Sequence, residues 1–368
     1  MMNNKENPAY LQEQIITYIG NKRALLPQIG AEVQRIREKL GGRKLVCADL
    51  FAGSGVVSRL LKQHAETLTV NDLETYSRIL AECYLCNRAD YPAEQVEAAL
   101  ERLEKATEYP VEGLVSTHYA PKDDDAIQPG ERVFYTRDNA LRIDTYRAAM
   151  EQEDPALRPF LLGPLLYAAS VHTNTGGVFK GFYKDSKTGI GKFGGNGENA
   201  LTRILGRVTL QPPVLSEFDC KTVICQEDVN TLAEKLPMQD LVYLDPPYNQ
   251  HPYGSNYFML NVIAENRLPG KLSLVSGIPE GWNRSDYNKR QKALDAMEAL
   301  VRDLPARFLL ISYNSEGFIT LEEMEELLGR YGSVERREIV YPTYRASRNL
   351  HQRSIKVSEY LFVVEKTV

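Results

Sequence analysis

The stretch KLVCADLFAGSG, residues 44–55, predicts the fold of this chain. It begins as an apolar run of strand length and ends in a tight turn that contains two glycines. The following residues VVSRLLKQHA (56–65) have a helical pattern, and TLTVND (67–72) has the pattern of a second strand. A strand, a glycine-rich turn, a helix and a strand in this order open a doubly wound, Rossmann-like α/β sheet.

Apolar runs of strand length return late in the chain, whereas residues 74–170 have mostly helical patterns. The late runs are TVICQED (222–228), DLVYLDPPY (240–248), RFLLISYN (307–314) and EYLFVVEK (359–366). We therefore predict one α/β domain, residues 1–75 and 211–368, split by a mostly helical insertion at residues 76–210. A further insertion is expected at about residues 250–300, and it contains Trp282, for which the sequence predicts no role.

The charge of the chain is segregated rather than uniform. Its 44 basic and 49 acidic residues give a net charge of −5, which argues against a basic coat over the whole surface. Basic residues nevertheless outnumber acidic ones in residues 178–208 and 341–368. These two segments are therefore candidates for contacts with phosphates.

Cysteine content and hydropathy favour a cytoplasmic protein that uses neither a membrane nor a metal. No apolar run approaches the ~18 residues of a membrane span, and the polar N-terminus lacks a signal-peptide pattern. The chain has five cysteines, and this odd number argues against a disulfide framework. Cys83 and Cys86 form a CxxC pair, but no further ligands follow at the spacing of a zinc site.

The turn after the first predicted strand has the chemistry of a nucleoside site. Its glycines let a ligand approach the backbone, and Asp72 ends the next strand, where nucleotide-binding sheets hold a ribose hydroxyl. The spacing fits neither the GxGxxG pattern of dinucleotide sites nor the phosphate-binding loop of NTPases. It suits adenosine without a phosphate chain, and the alternative is a plain strand–helix turn.

A second motif, Asp245-Pro246-Pro247-Tyr248, follows another predicted strand. Proline cannot donate to a sheet ladder, so the motif should lie just beyond the paired residues, where α/β sheets bind ligands. The Asp245 carboxylate and a rigidly held Pro246 carbonyl offer two acceptors, and Tyr248 offers a stacking face. This set can hold the exocyclic amine of a planar base. The alternative is a turn that merely ends the strand.

At this point the chain resembles the S-adenosylmethionine-dependent DNA adenine-N6 methyltransferases of the Dam-like, D12 class. The similarity rests on several segments in the family's order. These are TYIGNKRALLPQI (17–29), DLFAGSG (49–55), VNDLETYS (70–77), VHTNTGGVFKGFYK (171–184) with GKFGG (191–195), and the DPPY motif. The resemblance implies a methyltransferase sheet whose insertion recognises DNA.

The resemblance also implies roles for individual residues. Tyr18, Gly20 and Lys22 would line the methionine end of S-adenosylmethionine, together with Asp49, Phe51, Ala52, Gly53, Ser54 and Gly55. Asp72 would hold the ribose, and Asp228 would contact the cofactor adenine, with a helix-capping role as its alternative. The catalytic group would be Asp245, Pro246, Pro247 and Tyr248.

Two basic segments are predicted to contact DNA. The residues are Lys180, Lys184 and Lys192 in a glycine-rich stretch, and Arg345, Arg348 and Arg353 in YRASRNLHQR (344–353). Solvated surface charges are the alternative for both.

The implied reaction is direct methyl transfer to N6 of an adenine that is flipped out of double-stranded DNA. The expected partner besides DNA is a restriction endonuclease encoded separately, unless the enzyme acts alone. Three alternatives remain: a cytosine-N4 methyltransferase, a methyltransferase of RNA or of a protein amide, and a non-catalytic DNA-binding protein on the same scaffold. Serine commonly replaces the first aspartate in cytosine-N4 enzymes, so DPPY favours adenine.

Overall fold

The computed structural model describes residues 5–342 and 356–367. Its centre is one sheet of seven strands in the order β3-β2-β1-β4-β5-β7-β6. The strands are β1 (Leu45–Asp49), β2 (Ala65–Asn71), β3 (Lys221–Cys225), β4 (Gln239–Leu244), β5 (Ala306–Asn314), β6 (Gly332–Pro342) and β7 (Lys356–Lys366). The predicted doubly wound α/β sheet is confirmed.

Strands β1 to β5 are parallel, whereas β7 runs antiparallel to both β5 and β6. The chain fills the sheet from β1 outward to β3 and then returns to place β4 on the other side of β1. This reversal brings the carboxyl ends of β1 and β4 together, with Asp49 opposite Tyr243. A crevice is expected at such a position.

Helices cover both faces of the sheet because its buried strands alternate their side chains between two apolar layers. One layer contains Cys47 of β1 and packs against α2 (Leu26–Lys39) and α3 (Val56–Lys62). The other layer contains Ala48. It packs against α10 (Val229–Ala233), α13 (Ala293–Asp303) and α14 (Leu321–Gly329).

A third apolar core belongs mainly to the helices between β2 and β3. These helices are α4 (Thr75–Tyr84), α5 (Ala93–Ala106), α6 (Leu114–His118), α7 (Arg137–Met150), α8 (Arg158–Val171) and α9 (Leu201–Leu205). After β4 the chain enters the same core through α11 (Tyr253–Asn256) and α12 (Phe258–Glu265). The start of the 250–300 segment is thus largely buried.

The N-terminal segment crosses from the helical core to the sheet. It begins with the short helix α1 (Pro8–Gln12) and is held by Arg59 of α3, whose guanidinium donates to the carbonyls of Tyr10, Glu13 and Gln14 at 2.8–2.9 Å. The Arg59 side chain is fully buried and lies over the rings of Tyr10 and Tyr84. This anchor fixes the course of the residues that lead to Tyr18.

Strand β6 was absent from the predicted elements. Its sequence GSVERREIVYP carries four charged residues in a row, and most of its described side chains are exposed. An edge strand can carry such charges because one side of it is unpaired. Within the described ranges, no helix is long and apolar enough to cross a membrane.

Candidate active site

A cleft with about 860 Å³ of empty space lies where the carboxyl ends of β1 and β4 meet. Residues from the N-terminal segment, the β1–α3 turn, the end of β2 and the DPPY motif converge on it. The predicted site residues that line it are Tyr18, Gly20, Lys22, Asp49, Phe51, Ala52, Gly53, Ser54, Asp72, Asp228, Asp245 and Pro247.

The β1–α3 turn forms the floor of the cleft. Gly53 and Gly55 have φ angles of +52° and +76°, a region that side chains other than glycine disfavour. Asp49 ends β1, and its Oδ2 accepts the Ser58 hydroxyl at 2.6 Å. Its Oδ1 is buried without a hydrogen-bond partner among the described residues. Burial is the main cause that raises the pKa of Asp49 to about 7.

Asp72 joins the end of β2 to this turn. Its two oxygens accept the backbone N–H groups of Gly53 at 2.7 Å and Glu74 at 2.9 Å. Burial raises the pKa of Asp72, although the two backbone donors oppose this effect. The carboxylate is therefore held in one orientation at the edge of the cleft.

The DPPY carboxylate is part of a buried ion-pair network. The Lys22 ammonium lies 2.9 Å from Asp245 Oδ1 and 3.0 Å from Glu359 Oε1. It also donates to the Gly20 carbonyl at 3.1 Å. Burial opposes the charge of Lys22, but the two carboxylates outweigh it and raise the pKa of the ammonium. For Asp245, burial raises the pKa to about 6 even though Lys22 lowers it.

A second recess of about 650 Å³ adjoins the cleft and shares Pro247 and Tyr253 with it. Tyr248 and Lys180 line this recess. The backbone carbonyl of Tyr248 accepts from Phe318 N at 2.9 Å, which fixes the end of the DPPY turn. The Lys180 ammonium lies 3.2 Å from His251 Nδ1, and partial burial lowers its pKa.

Comparisons with known proteins identify the family of this chain. Residues 18–327 match the family described as D12 class N6 adenine-specific DNA methyltransferase. The Type II methyltransferase M.NlaIII of Neisseria lactamica is 30% identical over 96% of this chain and 100% of its own length. This chain belongs to the D12 class of N6 adenine-specific DNA methyltransferases.

Two further relatives fit this assignment. The Type II methyltransferase M.CviAII of Paramecium bursaria Chlorella virus 1 is 30% identical over 95% of this chain and 98% of its own length. The Type II methyltransferase M.FokI of Planomicrobium okeanokoites is 28% identical over 95% of this chain but only 53% of its own length. The predicted resemblance is confirmed, and the adenine-specific family disfavours the cytosine-N4 alternative.

Several predicted residues of this D12 methyltransferase lie outside the cleft lining. Gly55 precedes α3 and Pro246 is buried, while Tyr248 and Lys180 line the adjoining recess. Lys184 and Lys192 lie on a hairpin closed by a bridge between Lys184 and Gly191. Arg345, Arg348 and Arg353 fall outside the described residues.

Asp228 caps a helix, which was the alternative to its predicted contact with the cofactor adenine. Its Oδ1 accepts the backbone N–H groups of Asn230 at 3.0 Å and Thr231 at 3.2 Å, at the start of α10. The residue also lines the cleft. The cap therefore holds this carboxylate beside the space that a ligand would occupy.

The sequence analysis did not predict two acidic residues that line the cleft, Glu74 and Glu227. Glu74 is buried and accepts from Asn261 Nδ2 at 2.6 Å. Burial, with a contribution from Asp72, raises its pKa to about 8. Six carboxyl groups and a single cation, Lys22, thus line the described cleft. The position of Glu74 two residues after Asp72 was the available signal.

A stack of three tyrosines was also missed. The Tyr18 ring lies nearly parallel to Tyr253 at 5.0 Å and to Tyr257 at 4.5 Å between centroids. The Tyr257 hydroxyl accepts from Ile19 N at 2.6 Å. The residues that follow DPPY therefore hold the N-terminal segment in place. Within the described residues, no group of His, Cys, Asp and Glu is arranged to bind a metal.

Proposed function

We propose that this methyltransferase transfers the methyl group of S-adenosylmethionine to N6 of an adenine flipped out of double-stranded DNA at a specific sequence. The proposal rests on one observation. The DPPY carboxylate and the glycine turn line the same acidic cleft, beside a second recess lined by Tyr248. The family assignment supplies the class of reaction.

The donor set of the cleft fits S-adenosylmethionine. A sulfonium and an ammonium are attracted by a cleft in which carboxyl groups outnumber cations among the described residues. Within the same part of the chain, Asp49 Oδ1 is a buried acceptor without a hydrogen-bond partner. We assign the methionine end to Tyr18, Gly20, Lys22 and the turn Asp49–Gly55, the ribose to Asp72, and the adenine side to Asp228. When bound, the cofactor would supply a methyl group on its sulfonium. N6 would form a bond to this methyl in line as the methyl–sulfur bond breaks, which leaves a neutral thioether, and the methylated amine would then lose one proton.

Asp245 is proposed to accept a hydrogen bond from the target amine. With a pKa of about 6, its carboxylate is ionised at neutral pH and can only accept. The carbonyl of Pro246 is the proposed second acceptor, held by Pro247. When these two groups accept hydrogen bonds from the amine, its nitrogen lone pair is less delocalised into the ring and can attack the methyl group. Positioning of the two reactants then supplies much of the rate enhancement. No covalent enzyme intermediate is needed.

The second recess is proposed to take the flipped base. It shares Pro247 with the cofactor cleft, so a base there would lie beside the reacting methyl group. Tyr248 would stack on the base and replace part of the stacking lost from the duplex, worth about 1–3 kcal/mol. The base must leave the helix because N6 is inaccessible to the enzyme inside the duplex.

DNA contacts are proposed for Lys180, Lys184 and Lys192, which lie in or beside the recess and on the hairpin closed by Lys184 and Gly191. Arg345, Arg348 and Arg353 remain proposed on their sequence alone. We propose residues 76–210 as the target-recognition region and residues 250–300 as a second DNA-contacting segment. We further infer a type II modification enzyme of the cytoplasm, with a separately encoded endonuclease as its partner.

The test is methylation of mixed-sequence, unmethylated DNA followed by digestion to nucleosides and mass analysis. We expect N6-methyladenine from the wild type and none from Asp245→Asn, which preserves shape but removes the charge. Asp295→Asn is the matched control, because Asp295 is exposed on α13. N4-methylcytosine, or methylation by Asp245→Asn at the wild-type rate, would contradict the proposal.

A further inference from the structure

A second buried carboxylate lies behind the catalytic motif, and nothing in the proposed reaction yet uses it. Glu359 is 2% exposed and lies on β7, the antiparallel strand. Its Oε1 is 3.0 Å from the Lys22 ammonium, which lies 2.9 Å from Asp245 on the other side. Lys22 therefore joins a residue of β7 to the DPPY carboxylate.

The orientation of Glu359 is fixed by the sheet. It lies opposite Asn314 of β5 in the antiparallel ladder. Asn314 Oδ1 accepts the backbone N–H of Glu316 at 2.9 Å, and Asn314 Nδ2 donates to Glu359 Oε2 at 3.2 Å. One oxygen of Glu359 is thereby occupied, which leaves the other to face Lys22.

Among the described residues, two carboxylates rather than one contact the Lys22 ammonium. Glu359 is buried and its other oxygen is held by Asn314, so the position of this carboxylate is fixed. A lysine side chain has a flexible four-carbon stem, so a second fixed anion limits where its ammonium can lie.

We propose that Glu359 is a positioning residue that holds Lys22 against one oxygen of Asp245 and shares its charge. Asp245 then keeps enough negative charge to accept a hydrogen bond from the target amine. This inference rests on the proposed function of Asp245. Glu359 acts through Lys22 and does not itself contact the base or the cofactor.

The groups facing Asp245 determine the expected pH dependence. Lys22 comes from the N-terminal segment, Glu359 from β7 and Asp49 from the end of β1. Glu359 raises the pKa of Asp245, and Lys22 lowers it. Loss of the Glu359 charge therefore leaves Lys22 to act on Asp245 alone. The carboxylate becomes less basic and a weaker acceptor.

The experiment measures single-turnover methyl transfer from pH 5 to pH 9 with saturating DNA and S-adenosylmethionine. Glu359→Gln keeps the size of the side chain and an oxygen for Asn314 Nδ2. We expect the rate at neutral pH to fall about tenfold, as for loss of a charged hydrogen-bond partner. The acid limb of the pH profile should move to lower pH. A loss of packing alone would not move the acid limb in this direction.

Glu365→Gln is the matched control, because Glu365 lies on the same strand but pairs with Lys39 on the surface. It should leave the rate and the pH profile unchanged. If Glu359→Gln does not fold, Glu359→Asp keeps the charge, and we expect it to retain the acid limb with a reduced rate. A wild-type rate in that variant would overturn the proposal.

The outcomes separate the two claims. Superimposable profiles of Glu359→Gln and the wild type, with N6-methyladenine formed by both, would overturn the role of Glu359 and leave the proposed function standing. Absence of N6-methyladenine from the wild type would overturn the proposed function and, with it, this inference.

Discussion

Gly53 and Tyr18 are in contact across the cleft: a Cβ built on Gly53 would lie 2.9 Å from the Tyr18 ring. The glycine turn of the sheet and the N-terminal segment therefore form one continuous surface. Any side chain at position 53 must displace either the turn or the tyrosine stack. Both lie where S-adenosylmethionine is proposed to bind.

Gly53→Ala should weaken S-adenosylmethionine binding by tenfold or more, measured by calorimetry, because it combines this clash with a positive φ. Gly42→Ala is the matched control. Gly42 has a φ of +76°, but a Cβ there meets nothing within 4 Å. It should cost about 1 kcal/mol of stability and leave binding unchanged. Equal affinities in Gly53→Ala and the wild type would contradict the proposed cofactor site.

Cofactor affinity should increase as the pH rises through about 7, the pKa of Asp49. A cationic ligand favours the carboxylate, so below this pH binding must first remove a proton, and affinity falls by up to about tenfold per pH unit. Asp49→Asn should bind more weakly at pH 8 and show a flatter profile between pH 6 and pH 8. Identical pH profiles for variant and wild type would show that Asp49 does not face the ligand.

Tyr248→Ala should lose the stacking proposed for the flipped base, about 1–3 kcal/mol. Tyr248→Phe keeps the ring and should retain most of the activity. A fluorescent adenine analogue at the target position reports unstacking, and its signal should rise with the wild type and Tyr248→Phe. Equal losses in both variants would instead assign the effect to the hydroxyl.

Arg59→Met should destabilise the protein by about 3 kcal/mol, measured by urea denaturation. The substitution leaves three backbone carbonyls of residues 10–14, two of them in buried hydrogen bonds, without their donor. The same segment leads to Tyr18, so S-adenosylmethionine affinity should fall as well. Arg307→Met, at an exposed position of β5, is the control and should change stability by less than about 0.5 kcal/mol. A wild-type denaturation midpoint in Arg59→Met would refute this anchor.

The double variant Lys184→Ala, Lys192→Ala should weaken binding to DNA of any sequence. Each lost phosphate contact should reduce the salt dependence of log Kd by about one. Lys105→Ala, exposed on α5, is the control and should leave the salt dependence unchanged. An unchanged slope in the double variant would place the hairpin away from DNA.

The sheet and the cleft were predictable because their signals are local. An apolar strand followed by a glycine turn occurs at Asp49–Gly55, and another apolar strand ends at Asp245. Parallel strands bring their carboxyl ends to the same edge of the sheet, and the resemblance to the methyltransferase family implied that the two motifs share one site. Asp72 was found by the same reasoning. The predicted domain boundaries and residue roles stay predictions.

The missed features depend on contacts between residues distant in sequence. The ion pair of Lys22 with Glu359 joins the N-terminal segment to the last strand of the sheet, β7, and only the pairing of β7 with β5 brings them together. Tyr253 and Tyr257 are four residues apart, a helical spacing that the sequence displayed, but their stacking on Tyr18 required the fold. The sequence analysis did not predict strand β6 because this strand carries several charged residues, which an exposed edge strand can accommodate.

Transfer of an isotopically labelled methyl group tests the central claim most directly. The protein is incubated with S-adenosylmethionine that carries a deuterated methyl group and with unmethylated duplex DNA, and the nucleosides are separated and analysed by mass and fragmentation. The account predicts the label on N6 of deoxyadenosine at one recurring sequence. A label on deoxycytidine, or DNA that stays unlabelled while the cofactor binds, would contradict it.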